Sequence, residues 1–75
     1  MNKARKQRIR EALAILESAK PVLEEIRDEE ENAFDNLPES IQESDRGDEM
    51  QEYVYALENA CDGIDVAIDS LNEVL

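Results

Sequence analysis

Five acids in the second half of the chain, Glu58, Asp62, Asp65, Asp69 and Glu73, stand 4, 3, 4 and 4 residues apart. On a helix that spacing gathers them on one side, because residues three and four apart are neighbours. Such a strip has three chemical readings: a solvated face, a surface that imitates the phosphates of DNA and so occupies a DNA-binding protein, or a site for Mg²⁺ or Ca²⁺. A hard cation needs oxygen ligands converging from several elements. The alternating acids that open an EF-hand loop are missing ahead of Gly63. No metal or cofactor is therefore expected. If the strip is more than a solvated face, Tyr55 and Val66 are the apolar residues among its polar neighbours that would seat a partner.

Little else could do chemistry. The chain has no histidine, the commonest acid–base group and metal ligand. Its one cysteine, Cys61, lies on an apolar line with no base to activate it, which reads as a buried small hydrophobe. No nucleophile–base pair and no cofactor motif is present, so an enzyme is not expected. Glu30 interrupts an apolar seam, and either a hydrogen bond from Tyr53 or access to water would accommodate it.

The chain is short, 75 residues, and carries a net charge of −12. One domain fits, and a domain this size buries only about 60% of its unfolded surface, so a monomer is marginal. The acidity argues against direct binding to nucleic acid. No run approaches the ~20 apolar residues of a membrane span. A lone cysteine and the lack of an apolar segment after the basic N-terminus point to a reducing cytoplasm rather than to secretion. The charge is unevenly spread: residues 1–10 hold five cations and no acid, while residues 11–75 hold three cations and all 20 acids. In an antiparallel hairpin the basic tract should lie beside Asp65, Asp69 and Glu73, at the negative end of the second helix.

Apolar periodicity supplies the elements that would position these groups. Ile9, Ala12, Leu16, Ala19, Leu23 and Ile26, then Ala33 and Leu37 beyond Glu30, step by three and four. The pattern predicts a helix over about 3–35, with Leu13, Ile15, Val22 and Phe34 on its flanks. Pro21 should kink but not break it, because the seam keeps its phase across the proline. Proline, asparagine, serine and glycine cluster over about 36–47, which predicts a turn. There Pro38 opens a short helical turn and Leu37 and Ile41 plug the end of the bundle. Ser44 is the candidate N-cap of a second helix over about 45–74, with Asp48 as the alternative. That helix carries the seam Met50, Tyr53, Leu57, Ala60, Ile64, Ala67, Leu71 and Val74.

Beside the second seam run a bulky line, Val54, Cys61, Ile68 and Leu75, and a small-residue line, Ala56, Gly63 and Ser70. One neighbouring helix cannot cover three lines. The expected fold is therefore all-α: a long antiparallel two-helix hairpin, residues 1–75 as a single domain, that dimerises through these flanking lines into a four-helix bundle.

The segment Asp35-Asn36-Leu37-Pro38-Glu39-Ser40-Ile41-Gln42, followed by Ser44, Gly47 and Met50, resembles the turn of a set of small acidic proteins from bacterial genomes and prophage-like elements. They share the basic start, the Arg27–Glu30 region and an acidic second helix. The resemblance implies no activity and no site residue. It does imply that Asn36, Pro38, Ser44 and Gly47 fix the turn, through side-chain caps and restricted backbone angles. The function expected is a non-enzymatic interaction protein, an oligomeric adaptor, inhibitor or structural subunit with a protein partner. The alternative is a mobile-element accessory protein that mimics DNA charge to block a DNA-binding partner.

Overall fold

A computed structural model describes all residues, 1–75, as an all-α chain of three helices. Helix α1 spans Lys3–Asp35, α2 is the single turn Glu39–Gln42, and α3 spans Asp45–Asn72. The first and third lie against each other in an antiparallel hairpin measuring 58 × 15 × 12 Å. Its smallest dimension is that of one helix, so the hairpin is a single layer with no second layer over it. No helix is long and apolar enough to cross a membrane.

Local chemistry sets the helix ends. Asn2 caps α1 by accepting a hydrogen bond from the Arg5 backbone at 2.8 Å. Pro21 lies inside α1, which continues through it, and the ring points to solvent. At the far end the Gln42 side chain reaches back and donates to the Phe34 carbonyl at 3.0 Å, beside the Leu37 backbone N–H that donates to the same oxygen, and so ties α2 to the last turn of α1. Leu37 and Ile41 are half-buried under this turn.

Two details of the turn differ from the sequence expectation. Ser44 does stand at the N-cap of α3, but its hydroxyl donates backwards to the Ile41 carbonyl instead of accepting from the new helix. Asp45 and Asp48 supply the negative charge of the first turn, as their positions in the sequence suggest. Asn36 is right-handed, with φ −87°, and no glycine has positive φ. Gly47 is needed for a different reason. It is buried inside α3, and a Cβ there would lie 2.0 Å from the Gln42 carbonyl oxygen. The turn is closed by backbone laid directly on backbone.

The seam between the helices is also rotated from the one expected. On α1 the residues turned inward are Ile9, Leu13, Leu16, Lys20, Leu23, Arg27, Glu30 and Phe34. On α3 they are Met50, Val54, Leu57, Cys61, Ile64, Ile68 and Leu71. The shared positions hold, but Leu13, Lys20, Arg27, Phe34, Val54, Cys61 and Ile68 take the places expected for Ala12, Ala19, Ile26, Ala33, Tyr53, Ala60 and Ala67. Packing the bulkier line buries more apolar surface, at about 25 cal/mol per Å². Lys20 and Arg27 can sit in this seam because their aliphatic stems cover apolar neighbours while the charged heads reach water. Even so, only Leu13, Gly47, Val54 and Cys61 are buried.

Gly47→Ala tests the close approach at the turn. In an unhindered helix the change would stabilise by about 1 kcal/mol. Here the added methyl meets backbone that cannot step aside, and overpacking of this kind costs about 1–3 kcal/mol. Urea unfolding should therefore show a net loss of stability, and an unchanged or raised midpoint would refute the contact.

Candidate functional site

The two sides of the hairpin are chemically unlike. On one, Lys20 of α1 donates to Asp65 of α3 at 2.7 Å, the one ion pair that links the two helices. The hydrogen bond to Asp65 is the main reason the Lys20 ammonium is held above its ordinary pKa of 10.5. Lys20 also lies 3.8 Å from Glu24, and Arg27 pairs with Asp28 at 2.9 Å. Around Lys20 and Arg27 is an open groove of about 330 Å³ walled by Glu24, Glu58, Cys61, Asp62 and Asp65. A second groove, about 350 Å³, continues towards the turn between Phe34, Val54 and Tyr55, with Glu31, Asp35, Gln51 and Glu58 at its rim.

The strip expected from the sequence thus forms, and the structure adds cations to it. Glu58, Asp62 and Asp65 line the charged groove, and Tyr55 lines the second, which Glu58 shares. Asp69, Val66 and Glu73 lie further along α3, exposed and outside both grooves. No three acidic or cysteine side chains converge to hold a metal ion. Spacing could have pointed to the missed cations: Lys20 and Arg27 fall in three–four step with Leu13, Leu16, Leu23 and Phe34.

The basic tract does not meet the acids expected to pair with it. Lys3, Arg5, Lys6, Arg8 and Arg10 make no salt bridge within the chain. Register explains this. With Lys20 opposite Asp65, an antiparallel pair brings Leu75 level with about residue 10. The first two turns of α1 therefore project beyond α3. Tyr53 does not bond to Glu30 either. Its hydroxyl donates to Glu49 one turn back, while Glu30 stays half-buried at its seam position.

The opposite side of the hairpin is smooth and apolar. Along α1, Ala12, Ile15, Ala19, Val22, Ile26 and Ala33 step by three and four, broken at Glu29. Ile15 is 70% exposed, Val22 55% and Ile26 44%. Along α3 the same step runs through Tyr53, Ala56, Ala60, Gly63, Ala67 and Ser70 to Val74. These residues lie to the same hand of each seam, and in an antiparallel pair that puts both lines on one side of the hairpin. Ala19 and Ala67 are half-buried where the lines adjoin. A Cβ at Gly63 would meet nothing within 4 Å.

Of the residues expected at a dimer contact, Ala56, Gly63 and Ser70 are exposed on this apolar side. Val54, Cys61 and Ile68 are used within the hairpin, and Leu75 ends the chain 38% exposed. Compared with protein families, curated proteins and solved structures, the chain has no match. The fold and its two faces define an elongated all-α hairpin, acidic and grooved on one side and apolar on the other.

The Tyr53–Glu49 bond gives a pH signature. The hydrogen bond to Glu49, and then the charge of that carboxylate, hold the Tyr53 phenol above its ordinary pKa of 10.0. Protonated Tyr53 is thus favoured in the fold, and this contribution is complete below pH 10 and lost as pH rises through the higher folded value. In a spectroscopic titration of phenolate, the signal removed by Tyr53→Phe should have its midpoint above 10, and Glu49→Gln should lower that midpoint. A midpoint that Glu49→Gln leaves in place would show that the bond does not form.

Proposed function

We propose that the protein is a non-enzymatic interaction protein of the cytoplasm that works as a homodimer, two hairpins forming a four-helix bundle. In that form it would serve as a small adaptor, inhibitor or structural subunit for a protein partner. One observation carries the reading: an apolar side, broken on α1 only at Glu29, with Ile15, Val22 and Ile26 exposed, on a single layer that buries four residues of 75. Within residues 1–75 there is no further long helix to cover it. The grooved acidic side faces the other way and would stay open for the partner. The turn's resemblance to small acidic proteins of bacterial and prophage-like elements agrees with an accessory role. Mimicry of DNA charge is the weaker reading, because Lys20 and Arg27 stand in the acidic groove and interrupt its charge.

Light scattering on the size-separated protein should give twice the 8.6 kDa chain mass at micromolar concentration. Gly63→Leu is the matching variant. The position is open in the hairpin, so helix content should be retained while association weakens about tenfold or more, the equivalent of overpacking by ~1–3 kcal/mol. A monomer mass for the unaltered chain would overturn the proposal.

A further inference from the structure

We infer that the occupant of the apolar side is a second copy lying head to tail, related by a two-fold axis perpendicular to the long axis of the hairpin, with the basic end of each copy over the acidic turn of the other. The inference rests on the dimer reading above and specifies its face and direction.

Register supports the face. With Lys20 opposite Asp65, Val22 and Gly63, the middles of the two apolar lines, come level. Both lines then span the same stretch of the hairpin, and a two-fold at that level lays each pair of lines on its own image. Alpha1 meets its copy through Ile15, Val22 and Ile26, and α3 meets its copy through small residues that let backbones come close. Stacking is isologous, as closed dimers require.

Charge selects the direction. Two hairpins can also stack with the two-fold along the long axis, which brings the two basic tracts together at one end and the two acidic turns together at the other. Residues 1–10 hold five cations and no acid, whereas residues 28–52 hold eleven acids and one cation, Arg46. Those ends are separated along a body 58 Å long, several Debye lengths at physiological ionic strength, roughly 8 Å each. They therefore act as independent patches, repelling end to end in one arrangement and attracting in the other. Arg5 and Arg8 continue the apolar line of α1 in the same three–four step, so they lie on the face that is covered. No acid of their own chain pairs with them. Like charges facing each other fix orientation by exclusion, opposite charges by attraction.

A spin label at exposed Gln7, introduced as Gln7→Cys in a Cys61→Ala background, reads the direction from one distance. Head-to-tail copies place the two labels roughly 45 Å apart, from 1.5 Å of rise per residue on either side of Val22. The alternative stacking brings them within about 25 Å, the width of two helices with their side chains. The double variant Arg5→Glu with Arg8→Glu gives an independent sign: association weakens about tenfold if the tract lies over acids, and strengthens if it lies over its own copy. A long distance with weakened association supports the inference. A short distance, or a strengthened dimer, overturns it and leaves the homodimer standing. A monomer by light scattering overturns the homodimer as well.

Discussion

A helix with only one neighbour can bury a strip about two residues wide, and every feature of this hairpin follows from which strip is chosen. Each long helix carries more apolar positions than one contact can cover. The helices turn their bulkiest lines inward, so Leu13, Phe34, Val54, Cys61 and Ile68 join the shared seam. That choice sends the small-residue line of α3 outward. It leaves Ala56, Ala60 and Gly63 of α3 exposed on the same side as Ile15, Val22 and Ile26 of α1. The smooth outer side is therefore a consequence of the inner packing.

The same rotation arranges the charge. Turning Leu13 and Phe34 inward also turns in Lys20 and Arg27, which share their line. Their stems can cross the seam edge because long cationic side chains cover apolar surface with the charge still hydrated. Lys20 then reaches Asp65 across the seam, and the contact marks the register of the pair. The register in turn carries Lys3–Arg8 past the end of α3, where they stay unpaired in the chain. An exposed ion pair adds little stability.

Much of this architecture was legible in the sequence, and the limits of legibility are physical. Helix α1, the turn and the start of α3 at Asp45 follow from periodicity and from the cluster of turn formers, because backbone preference is local. The rotation of the seam did not follow. Residue types alone rank Lys20 and Arg27 as polar interruptions and Ala12 and Ala60 as core, whereas packing weighs the area each side chain can cover. The acidic strip was readable from its spacing, but the cations beside it come from the other helix. Asn2 at the cap of α1 and Gln42 across the turn carry no periodic signal, and Gly47 answers a close approach from Gln42 rather than a need for special backbone angles. Contacts of that kind are made across a turn whose path must already be known. The basic tract failed for the same reason, since its partner depends on register.

A chain of net charge −12 would seem a poor candidate to meet its own copy, yet distance decides how much of that charge the copies feel. In the proposed dimer the apolar sides face each other, so the strips with Glu58, Asp62 and Asp69 lie on opposite outer faces. Two helix diameters, roughly 20 Å, then separate them, well over the ~8 Å Debye length at physiological ionic strength. Their repulsion is largely screened. The charges close enough to matter are those at the ends of the apolar lines, where one end is basic and the other acidic. In the proposed dimer association would thus depend on apolar contact along the middle and on charge at the ends, while most of the acidity would face solvent on both outer sides.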